Sequence, residues 1–93
     1  MEFRFAKSLA GHDKDEIYFV QKEESDLFYL VNGKNRTLDQ AKRKKKKHTQ
    51  IIKRLPDEVT EILLSGTLTD ERIKRAIRIY KKDQSRSEKN EEK

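Results

Sequence analysis

Residues 17–33 read Ile17-Tyr18-Phe19-Val20-Gln21-Lys22-Glu23-Glu24-Ser25-Asp26-Leu27-Phe28-Tyr29-Leu30-Val31-Asn32-Gly33. Two runs rich in aromatic and β-branched residues, 17–21 and 27–31, flank the polar stretch Glu23-Glu24-Ser25-Asp26. Such side chains suit the pleated, half-buried surface of a sheet, so both runs predict strands joined by a short connection. Asn32-Gly33 follows at once, and both residues accept the positive φ that the centre of a type I′ turn demands. The pair predicts a hairpin in which residues 34–38 return as a fourth strand.

Upstream, Phe3, Phe5 and Leu9 share one parity against Arg4 and Ser8, an alternation interrupted by Lys7 that predicts a half-buried strand over residues 3–9. Ala10-Gly11-His12-Asp13-Lys14-Asp15 separates it from Ile17 as a loop, and Thr49-Gln50-Ile51-Ile52-Lys53 fits a short fifth strand. After Pro56 the apolar period becomes helical. Val59, Ile62 and Leu63 fit one helix, with Glu58 and Glu61 in its first turns and Gly66 as its stop. Thr69 can cap a second, whose first turn receives Asp70 and Glu71 and whose apolar stripe is Ile73, Ala76, Ile77 and Tyr80. That stripe cannot bury itself, so the helices are expected to dock on the strands. Lys74, Arg78 and Lys81 share one flank beside it, as a solvated face or as an extension of an anion-binding surface. Residues 83–93 contain no hydrophobic side chain and are expected to form a disordered tail. The division is a β domain over 1–55 with a basic arm at 42–48, a helical hairpin over 56–82, and the tail.

With 32% hydrophobic and 43% charged residues in a chain of 93, there is apolar material for one small core only. Phe3, Phe5, Phe19 and Phe28 are assigned to it, each worth about 1.5–3 kcal/mol when buried. Tyr18 and Tyr29 are left open between the core and a base-stacking surface. The absence of cysteine removes disulfides and thiolate metal sites. His12 and His48 lack further ligands at metal spacing, and Ser8, His12 and Asp13 lack the strained nucleophile turn of a hydrolase. Neither catalysis, metal nor cofactor is expected. Met1-Glu2-Phe3-Arg4 leads straight into the alternating pattern, with no apolar run of signal-peptide or membrane-span length, so a soluble, cytoplasmic protein without a membrane partner is expected.

Twenty-three Lys and Arg against seventeen Asp and Glu give a net charge of +6, unevenly spread. Residues 34–54 hold ten basic side chains against Asp39 alone, a local +9 that leaves −3 for the remainder. Adjacent cations from Lys42 to Lys47 repel one another, and phosphates that replace their counterions relieve that repulsion. A nucleic acid is the natural partner, with a solvated linker or a nuclear address as other readings of such a run. The segment is expected to be a mobile arm that RNA orders. Lys34, Arg36, Lys42, Arg43, Lys44, Lys45, Lys46, Lys47 and His48 are the candidate phosphate contacts, with Lys14 and His12 secondary. A protein-interaction adaptor of the transcription or translation machinery is the competing function, and DNA the competing polyanion.

Ser8-Leu9-Ala10-Gly11-His12-Asp13-Lys14, set between two strand-like runs, resembles the KOW motif. Asn32-Gly33-Lys34-Asn35-Arg36-Thr37-Leu38 and the following lysine cluster strengthen the match. Over residues 3–55 the chain is similar to small bacterial KOW-domain proteins related to eukaryotic-type large-subunit ribosomal proteins. The resemblance implies a small SH3-like β-barrel, hence a mostly β fold with a C-terminal helical hairpin. It also implies ribosome-associated RNA binding, with ribosomal RNA as the expected partner; ribosomal proteins are further expected partners, and a monomer is expected when free. Gly11 and Lys14 match directly. The family commonly has glycine after the Asp-Lys pair, where this chain has Asp15; aspartate tolerates left-handed geometry better than most residues, but its charge opposes a phosphate contact there.

Overall fold

A computed structural model describes residues 3–91, with side chains to residue 85. The elements are β1 (Phe5–Ser8), β2 (Ile17–Glu23), β3 (Leu27–Val31), β4 (Lys42–Lys45), a 3₁₀ turn (Lys46–His48), β5 (Thr49–Ile52), α1 (Asp57–Leu64) and α2 (Asp70–Glu91). All strand pairs are antiparallel, in the order β4-β3-β2-β1-β5. Among the described residues no helix is long and apolar enough to cross a membrane.

Strand alternation gives the sheet two buried faces. Register aligns Phe5 with Phe19 and Ile52, and Phe19 with Val31, in one apolar row. Val59 and Leu63 of α1 and Ile73, Ala76, Ile77 and Tyr80 of α2 pack against that outer face. Phe5 meets Tyr80 edge to face, with centroids 5.5 Å apart. The inner face carries Ala6, Tyr18, Val20, Phe28 and Leu30, with Ile51 beside them. Thr69 caps α2 by accepting the Arg72 amide at 3.1 Å. The helix then runs past residue 82 to Glu91, over most of the stretch read as a tail, where no glycine or proline stops it. Glu92 and Lys93 lie outside the described residues.

Residues 34–38 do not form the expected strand. The Asn32 carboxamide oxygen accepts the amides of Lys34 and Arg36 at 2.9 and 3.0 Å, and the amides of Asn32 and Gly33 both donate to the Arg36 carbonyl. The side chain thereby closes a local loop in place of a two-residue hairpin turn. Gly33, at φ 79°, presses this loop onto the start of α2, where a Cβ would collide with the Asp70 carbonyl oxygen. The Asp70 carboxylate in turn accepts the Leu38 amide at 2.8 Å. The strand that pairs with β3 is β4, inside the lysine run.

Nor do backbone pairings close a barrel: among the described residues no ladder joins β4 to β5, which stand at opposite ends of the strand order. The sheet is nevertheless strongly curled. Laid flat, its outer strands would stand four spacings of about 4.8 Å apart, roughly 19 Å. The 3₁₀ turn and its flanking bonds can span only about 14 Å. Side chains bridge the seam: the Lys44 ammonium donates to the Ala10 carbonyl at 2.9 Å, and Lys42 and Lys44 both reach Asp13 in the loop after β1.

Candidate nucleic-acid interface

The loop between β1 and β2 is folded around left-handed residues, Gly11 at φ 89° and Asp15 at φ 74°. Hydrogen bonds donated by the amides of Lys14, Asp15 and Glu16 to the carbonyls of Gly11, Ser8 and Asp13 hold it, at 3.2, 2.8 and 2.9 Å. This geometry turns Asp13 inward. Its carboxylate accepts hydrogen bonds from Ser8 Oγ at 2.9 Å, Tyr18 OH at 2.8 Å, Lys42 Nζ at 2.8 Å and Lys44 Nζ at 3.0 Å, with only 12% of the side chain exposed. Burial pushes the carboxyl up, but the bonds from Lys42, Tyr18, Lys44 and Ser8 together outweigh it and hold Asp13 well below the usual carboxylate range. Burial and this neighbouring carboxylate push the Tyr18 hydroxyl up, so it stays a protonated donor. Tyr18 belongs to the inner core.

Strand geometry splits the lysine run by parity. Lys42 and Lys44 stand opposite Leu30 and Phe28, so both lie on the inner face with their heads sharing the Asp13 carboxylate. Lys46 sits over the Phe28 ring at 5.2 Å and pairs with Glu23 at 2.5 Å. Arg4 approaches the same ring at 5.7 Å and the same carboxylate at 2.9 Å. Lys46 and Arg4 hold the Glu23 carboxyl below its ordinary value. These cations lid the inner core with their stems. The expectation of a mobile, unpartnered arm is therefore corrected: β4 is a strand paired with β3, and its carboxylate partners come from loops and strands remote in sequence.

Arg43, Lys45, Lys47 and His48 are the exposed remainder, and among the described residues none of them has an ion-pair partner. Arg43 stands opposite Tyr29, and Tyr29 opposite Lys22, so a cation-aromatic-cation row crosses β4, β3 and β2 on the outer face. The Lys22 ammonium lies 5.2 Å from the Tyr29 ring, and the tyrosine hydroxyl donates to Glu24 at 3.2 Å. Sequence reasoning missed Lys22 because a register shift between Val20 and Lys22 moves it, in place of Gln21, into the row. A bulge of this kind has no signal in the alternation of side chains.

His12 and Lys14 are exposed on the β1–β2 loop. That loop abuts the basic strand, since the Leu9 amide donates to the His48 carbonyl at 2.9 Å and Lys44 reaches Ala10. Lys34 is exposed on the loop held against α2, apart from the row on β4, while Arg36 is half-buried and its charge reaches Tyr18. Among the described residues no group of three or more His, Cys, Asp and Glu is placed to hold a metal. No protein-family model matches the chain, and no curated protein matches it in sequence. A rigid strand displays uncompensated cations at alternate positions beside a half-buried ring, an arrangement suited to phosphate contacts with a base stacked nearby.

Proposed function

We propose that this protein is a non-enzymatic RNA-binding protein of the KOW type, an SH3-like module that contacts the phosphates of structured RNA. On this reading ribosomal RNA is the target and the cytoplasm its setting. The observation that carries the proposal is the division of the lysine strand. Asp13 and Glu23 pair with the inward lysines and so fix β4, leaving Arg43, Lys45 and Lys47 outward without carboxylate partners among the described residues. A strand that needed lysine only for solubility has no use for such an anchor. The left-handed Asp15, at the position where the family has glycine, and the curled five-strand sheet support the KOW and SH3-like part of the reading.

Fluorescence anisotropy of a labelled RNA hairpin, titrated across a range of salt, tests it. Three phosphate contacts from Arg43, Lys45 and Lys47 account for roughly 2 to 2.7 of the negative slope of log affinity against log salt. Duplex DNA of equal length serves as competitor. Absence of RNA binding, or an affinity indifferent to salt, would leave the adaptor reading in its place.

A further inference from the structure

We propose a second phosphate-binding site, in the cleft between the Asn32–Lys34 turn and α2, which takes the sugar-phosphate backbone of the same RNA; it rests on the RNA-binding reading above. The cleft has a volume of about 380 Å³ and gathers Lys34, Lys74, Arg78 and Lys81 over Ile77, with Glu16 at its rim. Positions 74, 78 and 81 follow one another at i, i+4 and i+7, so they stand on a single flank of the helix. Like charges four apart, as in Lys74 and Arg78, cost an isolated helix a few tenths of a kcal/mol, so this flank carries a local penalty that a bound anion would relieve.

Lys34 comes from a different element, and its placement is fixed by backbone. A Cβ at Gly33 would collide with the Asp70 carbonyl oxygen and crowd the Lys74 backbone nitrogen, so a larger residue does not fit there without a shift of backbone. The same turn is tied by the Asn32 carboxamide oxygen, which accepts the Lys34 and Arg36 amides, and by the Leu38 amide on Asp70. Two rigid elements thus present four cations to one hollow before any ligand arrives, which is the arrangement that limits the cost of binding.

Ion pairing elsewhere in the molecule sharpens the contrast. Arg4, Lys7, Lys22, Lys42, Lys44 and Lys46 each have a carboxylate within ion-pair distance. Among the described residues Lys34, Lys74, Arg78 and Lys81 have none, and Glu16 pairs with none of them. Between residues 70 and 82, Arg72, Lys74, Arg75, Arg78, Lys81 and Lys82 face only Asp70 and Glu71, both in the first turn of α2. The apolar groups of the cleft, Ile17 and Ile77, are themselves buried, at 7% and 6% exposure, and none of its lining residues is a Trp or Tyr of the kind that anchors protein interfaces. A polyanion with little apolar surface, such as a nucleic-acid backbone, suits it better than a protein.

The test compares the full chain with a K34A/K74A/R78A/K81A variant, using the same RNA hairpin, with thermal melts to verify folding. Loss of four contacts should make the salt slope shallower by about 3, so that doubling the salt weakens the unsubstituted protein roughly eightfold more than the variant. In the unsubstituted protein, the RNA should slow acetylation of Lys34, Lys74 and Lys81 several-fold relative to the exposed Lys53. Unchanged slope and affinity in the variant, or unprotected lysines in the complex, would overturn this inference while leaving the β4 surface standing. If the substitutions instead abolish binding of a polyglutamate peptide and spare RNA, the cleft is a protein site and the inference also falls. Failure of the unsubstituted protein to bind RNA would remove both readings together.

Discussion

Replacing Asp13 with Asn should destabilise the protein by about 3 kcal/mol, because two lysine ammonium groups would lose the one carboxylate that both share. The Asp13 side chain is 12% exposed, and its bonds to Lys42 and Lys44 measure 2.8 and 3.0 Å. Removing one partner of a buried ion pair costs about 3–5 kcal/mol, since the other charge is left without compensation. Lys44 is as buried as Asp13, but Lys42 is 27% exposed and can turn back towards water, which places the loss at the lower end. At about 4–8 °C per kcal/mol for a domain of this size, the melting temperature should fall by roughly 12–24 °C. The penalty also depends on pH. Asp13 is held below its unfolded pKa of about 3.9, so its stabilisation is complete above that value and is lost as pH falls towards the folded one. Urea denaturation of both proteins from pH 7 down to pH 2 should therefore show a gap that is widest at neutral pH and narrows below about pH 4. A variant within about 0.5 kcal/mol of the parent at pH 7, or a gap that ignores pH, would refute the assignment of Asp13 as the anchor of β4.

Further outcomes follow from the same packing. Ile77→Asp places a charge between α2 and the outer sheet face at a position 6% exposed, and should cost about 3–5 kcal/mol; an unchanged melting temperature would show that the helix does not dock. Hydrogen exchange in the free protein should find alternate backbone amides of residues 42–45 protected, those that point towards β3 from this edge strand, whereas a mobile arm would exchange at the unprotected rate throughout. Asp15→Gly should stabilise by about 1 kcal/mol, because the residue sits at φ 74°, and its exposed 3.8 Å pair with Lys7 contributes little; a destabilised variant, measured by thermal melting, would contradict this.

What could be read without coordinates followed the apolar period. Ile17–Val20 and Leu27–Val31 alternate between two buried faces, and Ile73, Ala76, Ile77 and Tyr80 form the docking stripe, because burial of one side of an element imposes its repeat on the sequence. The β4 strand has no such repeat to show. All four of its residues are cations, and the difference between Lys44 and Lys45 is made by Asp13 and Phe28, the first of them 31 residues away. The same limit explains Asn32-Gly33. Its residue types predict a two-residue hairpin turn, whereas the Asn32 side chain and the close approach of Gly33 to α2 impose a wider loop. Among the candidate contacts, the basic segment was visible from composition, whereas its split into anchors and an exposed face needed the register.

The parity of the lysine strand can be tested by comparing two triple variants, R43A/K45A/K47A and K42A/K44A/K46A, in salt titrations of binding to one structured RNA. The outward set should make the slope of log affinity against log salt shallower by roughly 2 to 2.7 with little change in melting temperature. The inward set should lower the melting temperature while leaving the slope of the folded protein near that of the parent, because those lysines are each held in an ion pair with Asp13 or Glu23 and lie off the outward face. An unchanged slope in the outward variant, or equal losses of slope in both, would contradict the claim that Arg43, Lys45 and Lys47 are the strand's contacts with RNA.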